Sequence, residues 1–143
     1  MRKLLLTATV ILFSQFIFSQ PNIIKDKQGA ARVCEEFLQK FKERKFSDAL
    51  QMLKIYSVIE SDKIDTLAYT VESQMGNIGS TYGKILSYDF LFDKTTKDYL
   101  LRKFYALRFE HALLKFSFTF YFNGNEWKIT SFDYDRDFDD ILK

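Results

Sequence analysis

The chain has 143 residues, 47% of them hydrophobic and 16 of them Phe, with 21 basic and 19 acidic side chains. That length fits one domain of ordinary size behind a short leader, and charge so close to balance gives no electrostatic footing for nucleic acid or an anionic membrane surface. A single cysteine, Cys34, precludes an internal disulfide, so stability has to come from an apolar core.

In chain order, Arg2 and Lys3 come before an apolar stretch from Leu4 to Phe18, which gives way to Ser19, Gln20 and Pro21. This is the charged, apolar, then small-residue order of a secretory signal, so residues 1–19 are expected to be cleaved and residues 20–143 to work in a periplasm or outside the cell. A transmembrane helix needs about 20 consecutive apolar residues, and this run is shorter and broken by Thr7, Thr9, Ser14 and Gln15. No membrane span is expected in the mature form. Ser19 has the small side chain wanted before the cut, although Ile17 is larger than usual two residues earlier. Removing Arg2 and Lys3 leaves a basic count equal to the acidic count of 19.

From Gln28 to Lys45, Ala30, Val33, Cys34, Phe37, Leu38 and Phe41 recur at steps of three and four, with Glu35, Glu36, Lys40, Lys42 and Glu43 between them. That period predicts an amphipathic helix and makes Cys34 a small buried hydrophobe on its apolar stripe. Ser47 reads as the N-cap of a short second helix carrying Ala49, Leu50 and Leu53. A third helix is expected from about Ser61, with Ile64, Leu67, Val71, Met75 and Ile78 on one stripe, loosening at Gly76, Gly79 and Gly83.

Beyond Gly83 the period changes to two, and ten of the sixteen Phe residues lie between Phe90 and Phe138. Aromatic alternation marks half-buried antiparallel strands, here at 84–92, 100–110, 113–122 and 126–134, with Lys94–Lys97 a polar turn. Asn123-Gly124 suits a two-residue turn whose central residues need positive φ. Phe122 would then face Asn125, putting Leu114, Phe116, Phe118, Phe120, Trp127 and Ile129 on one apolar face. A tight connection at His111-Ala112 adds Tyr105, Leu107 and Phe109 to it; a wider loop or one long bent strand is the alternative, since His-Ala is poor turn chemistry. The first strand contributes Leu86, Tyr88, Phe90 and Phe92 to the same face and turns Ser87 and Asp89 outward. Helices gathered before such a sheet make an α+β fold, with N-terminal helices packed on a curved four-stranded antiparallel meander.

The opening helix running into Phe46-Ser47-Asp48-Ala49-Leu50, the Gly83-Lys84-Ile85 entry, the strand Phe104–Glu110 and the closing Asn123-Gly124-Asn125-Glu126-Trp127-Lys128-Ile129 together resemble the nuclear-transport-factor-2-like (cystatin-like) cone fold of small exported bacterial domains. The resemblance implies a cone between helices and sheet that often holds a small molecule, acid–base residues inside it in a few members, and dimers across the sheet. Fold alone does not carry function.

Tyr105, Phe109, Phe118 and Trp127 are the aromatics expected to line such a cone and to hold a small apolar ligand or a protein partner. His111, the sole histidine, has the parity of Tyr105, Leu107 and Phe109, and Asp133 has that of Trp127 and Ile129 if the last strand stays regular; an acid–base enzyme would have to use that pair. Asp89 and Glu110 face the other way by the same count. No catalytic constellation is complete and no cofactor is implied, so a non-catalytic binding or interaction module is the expected function, with the acid–base enzyme and a purely structural, filled domain as alternatives. The acidic tail Asp133–Asp140 begins like a calcium loop but has Phe138 where the sharp turn needs Gly and ends at Lys143 before a twelfth ligand, so no metal site is expected. A solvated end is expected instead, with Phe138, Ile141 and Leu142 packing back as a last helical turn. On the polar face, Phe104, Tyr121, Phe132 and Tyr134 share a parity; a continuous patch there would make a homodimer interface through the sheet.

Overall fold

The computed structural model describes residues 22–142; the expected signal at residues 1–19 lies outside them. Helix α1 (Lys27–Lys42) starts where Asp26 accepts a hydrogen bond from Gly29 N at 2.6 Å, which satisfies one of the free N–H groups of the first turn. It stops three residues short of the expected Lys45, because Arg44 takes a left-handed φ of 62° and turns the chain into α2 (Phe46–Tyr56). Ser47 therefore lies inside α2 rather than capping it; Lys45 holds the cap position and makes no side-chain cap bond. The third helix, α3 (Ser61–Tyr82), runs straight through Gly76 and Gly79. Each helical Gly costs about 1 kcal/mol against Ala, and the buried stripe of Ile64, Ala68, Val71 and Met75 outweighs it. Gly83, at φ 75°, ends the helix, and a side chain there would collide with Glu110, whose carboxylate accepts Lys84 N at 2.9 Å.

Four strands follow: β1 (Ile85–Thr96), β2 (Leu100–Phe109), β3 (Leu113–Phe122) and β4 (Trp127–Asp135), ordered β1-β2-β3-β4 in one antiparallel meander, before a terminal turn α4 (Asp139–Leu142). The chain is α+β, with the helices packed on an open sheet. No described helix is long and apolar enough to cross a membrane.

Both hairpin loops are wider than the two-residue turns expected. Asn123 Oδ1 accepts from the N–H groups of Asn125 and Glu126, so the loop spans four residues and Phe122 faces Trp127 rather than Asn125. Across the other loop Arg108 faces Leu113, with Glu110 N and His111 N drawn to the carbonyls of Lys84 and Tyr82. Each change shifts the register by two residues, so faces are preserved and Tyr105, Leu107, Phe109, Phe116, Phe118 and Phe120 all point inward as expected.

One-residue irregularities have the opposite effect. A bulge at Thr130 in β4 leaves Phe120 facing Ile129 but brings Phe118 opposite Phe132 and Phe116 opposite Tyr134. Phe132 and Tyr134, expected on the polar face, therefore turn inward, and Asp133, expected inside, turns out. In β1, bulges at Leu86 and Leu91 keep Tyr88 and Phe90 inward and Ser87 and Asp89 outward, leave Leu86 half-exposed, and turn Phe92 outward against Phe104. The same strand carries Lys94 to Thr96, which were expected in a turn.

The core lies between the inner face and α1. Phe37 meets Phe118 at 5.3 Å edge-on and Phe132 at 5.0 Å, while Phe41 meets Phe116 at 5.1 Å and Phe46 at 4.8 Å. Truncating Phe132 removes a ring that is only 9% exposed, so Phe132→Ala is expected to lower stability by about 3–5 kcal/mol in urea unfolding, whereas Tyr121→Ala on the outer face lowers it by about 0.5 kcal/mol or less. Equal losses would mean that β4 has no bulge in solution.

Candidate functional site

The four expected cone aromatics are all buried in the packed interior. Tyr105 is 1% exposed and meets Phe118 at 6.2 Å and Phe90 at 5.4 Å; Phe109 is stacked edge-on against Tyr82 at 5.4 Å; Trp127 lies 5.3 Å from Phe122. Helix α1 covers Tyr105 with Cys34 and Phe118 with Phe37, and all belong to one buried cluster. These residues form the core itself, and the two grooves described below lie elsewhere.

His111 and Asp133 do not meet. His111 is exposed in the β2–β3 loop, where its backbone N–H donates to Tyr82 O at 2.9 Å. Asp133, carried to the outer face by the bulge at Thr130, accepts from Ser131 Oγ at 2.8 Å and from Arg102 at 3.3 Å; Arg102 also donates to Ser117 Oγ at 3.2 Å. Asp89 and Glu110 are on the outer face and at the Gly83 turn respectively, so none of these four residues joins an acid–base pair inside.

Instead, polar groups gather at one end of the inner face in a place the sequence reading passed over. Lys103 shares the inward parity of Tyr105, and only 7% of its side chain is exposed; its ammonium donates to Asp93 at 3.1 Å and lies 5.2 Å over the Phe90 ring. Asp93 reaches it because the bulge at Leu91 shifts the parity of β1. Beside them lie the Cys34 thiol on α1 and the buried Tyr105 hydroxyl. Burial pushes the Cys34 thiol well above its ordinary range, and the nearby Lys103 charge pulls the other way without overcoming it. Tyr105 is likewise held protonated, first by burial and then by the acidic groups around it. A neutral thiol and a neutral phenol are poor nucleophiles, so this cluster is built to stay protonated rather than to react. The one signal for it in the sequence was a Lys two residues before Tyr105 on an otherwise apolar face.

On the outer face, Phe92 and Phe104 stack at 4.6 Å with Lys94 and Arg102 over them, and Tyr99 and Tyr121 meet edge-on at 6.3 Å. Of the four residues expected to form an interface, Phe104 and Tyr121 are there and Phe132 and Tyr134 are not, so the patch is shorter than expected. The acidic tail folds over the same face: Asp140 binds Lys115 Nζ at 2.8 Å, Asp135 lies 3.4 Å from it, and the Asp137 carbonyl accepts from it. Lys115 sits where a cation would in a calcium loop, and its contact holds the Asp140 carboxyl below the usual carboxylate range. The expected helical turn forms as α4, but none of its residues is buried, and Leu142, expected to pack back, is 82% exposed because the tail is held by polar contacts to Lys115 instead.

Two surface grooves stand out among the described residues. One, of about 310 Å³, lies over the first turns of α1 and is lined by Ile23, Ile24, Val33 and Tyr56 with Lys25, Asp26, Gly29, Arg32 and Glu36. Asp26 is engaged as the helix cap, and among the described residues Lys25, Arg32 and Glu36 are in no ion pair. The other, shallower and about 500 Å³, runs between the α2–α3 link and β4, from Val58 to Phe132.

The protonated pair sets a pH dependence. Both pKa values are raised on folding, so the native state keeps protons that the unfolded chain releases above the ordinary values of 9.0 and 10.0. The contribution of this pair is therefore constant below pH 8 and is lost above about pH 9, at up to about 1.4 kcal/mol per pH unit per group. Urea unfolding between pH 7 and 10.5 should show that fall, with its first part absent in Cys34→Ala; a flat profile would mean that neither group is buried. Compared with known proteins, the chain matches no family model, no curated protein and no solved structure.

Proposed function

We propose that the protein is an exported, non-catalytic binding module that takes its ligand at the groove over the start of α1 rather than in a cone. The observation that carries this reading is the filled interior: all four aromatics that would line a cone are buried, Phe118 against Tyr105 and against Phe37 of α1, Phe109 against Tyr82 of α3 and Trp127 against Phe122, which favours recognition at the surface. The groove has what a small site needs, an apolar floor of Ile24, Val33 and Tyr56 and the charges of Lys25, Arg32 and Glu36, which are in no ion pair among the described residues. Lys25 and Arg32 against Glu36 suit a small amphiphile with an apolar body and a charged or zwitterionic end. Export rests on Arg2 to Ser19, and N-terminal sequencing of the mature protein is expected to begin at Gln20, within a residue or two.

The nuclear-transport-factor-2-like resemblance supports the order of elements and suggests a binding role, while an acid–base role lacks a second group beside His111. Native mass spectrometry of protein purified from its own exported fraction tests the reading. A reproducible extra mass, lost on denaturation and lost in Arg32→Glu, is expected. A clean apo chain, or an adduct that survives Arg32→Glu and Val33→Asp, would reject the groove.

A further inference from the structure

The two edges of the sheet are treated differently. Strand β4 is covered: Ile24 pairs antiparallel with Trp127, whose N–H donates to Ile24 O at 2.8 Å, and Ser57 bridges to Ile129, with Val58 N donating to Ile129 O at 3.0 Å. Strand β1 is the free edge. It runs for 12 residues, Leu86 is 49% and Phe90 51% exposed, and no described segment pairs with its outward-facing backbone. A long unpaired strand presents a row of N–H and C=O groups to any strand that fits.

We infer that β1 pairs antiparallel with β1 of a second copy, the two sheets joining about a two-fold axis at Leu91 and Phe92. A bulge ordinarily blunts an edge, but here it makes the strand self-complementary. In a regular strand, a two-fold pairing that opposes residues an odd number apart would place them on opposite faces. Because Phe90 and Phe92 stand opposite successive residues of β2, Tyr105 and Phe104, both face and backbone direction change by one step across Leu91. With the axis between Leu91 and Phe92, Asp89 stands opposite the second copy's Lys94, Phe90 opposite its Asp93 and Tyr88 opposite its Thr95, each matched in face and in outward backbone groups. Moving the register two residues earlier sets Asp89 against Phe92, and moving it two later sets Asp89 against Thr96 and the outward Phe92 against the inward Asp93. The central one alone opposes Asp89 to Lys94, and the symmetry makes that ion pair twice. Within its own chain Asp89 is held only loosely, by Ser87 Oγ at 3.4 Å and by Arg108 at 3.9 Å, the latter too long for a hydrogen bond, so its carboxylate has capacity left for the pairing. A closed two-fold contact uses the edge up on both copies and leaves no template for further growth.

Sedimentation velocity on the mature protein tests this with charge swaps. Asp89→Lys sets Lys against Lys and Lys94→Asp sets Asp against Asp, twice per dimer, so each variant alone is expected to weaken the dimer about tenfold or more. In an equal mixture one variant carries lysine, and the other aspartate, at both exchanged positions. Every opposed pair then regains opposite charges, and a heterodimer of wild-type affinity is expected. Cooperative thermal unfolding of each variant shows that it folds, and Tyr121→Glu, away from the edge, is expected to leave the wild-type dimer intact. A wild-type chain that stays monomeric at about 0.5 mM, single variants that dimerise as the wild type does, a mixture that stays monomeric, or a dimer lost in Tyr121→Glu would each overturn the inference.

Discussion

Phe37 rests against Phe118 and Phe132 at once, and that contact decides which side of the sheet is inside. An α-helix can bury one stripe and a sheet one face, so a single ring bridging β3, β4 and α1 commits every neighbour that shares its parity. Cys34 and Phe41, one turn to either side, then fall over Tyr105 and Phe116, and α2 closes the end through Phe46 and Leu50. With rings this large meeting at 5–6 Å, little volume is left over for a guest. The filled interior is a direct consequence of the side chains that hold the helix to the sheet.

What could be read from the sequence follows from how each kind of error propagates. The turn chemistry at Asn123-Gly124 predicted a loop two residues too short, yet the inward set of β3 was right, because a slip of two preserves faces. The bulge at Thr130 moved only one residue and reversed Asp133, Phe132 and Tyr134 together. Nothing in the local composition announces it, since Thr130 and Ser131 are ordinary strand residues; it is fixed by the need to bring Phe132 under Phe37. The helices were legible in period but not in their ends: Arg44 at positive φ carries no sequence mark, and α3 ignores two glycines because its stripe is buried.

The candidate site fared similarly. Tyr105, Phe109, Phe118 and Trp127 were placed on the correct face, but face and burial do not say whether a cavity exists. That depends on the volume supplied by the opposite layer, which α1 provides. Lys103 was overlooked because a charged residue at an inward position contradicts the pattern that identified the strand. It is tolerated since Asp93 stands opposite, 42% exposed, so the pair stays at the margin of the core and keeps contact with water.

All three bulges sit in edge strands, and the central ladder between β2 and β3 has no register shift. A central strand is held by hydrogen bonds on both sides, so an extra residue would break two ladders; at an edge it breaks one. The edge strands are therefore where a meander can reassign side chains without losing its core. In β4 the freedom is used to bury Phe132 and Tyr134. In β1 it sends Phe92 out onto Phe104 and Asp93 in to Lys103, which leaves Asp89 and Lys94 on one face with opposite charge and one bulge between them. The irregularity that anchors the buried lysine is also the one that gives the free edge a two-fold match to itself, so the inner cluster and the outer edge are consequences of the same extra residue.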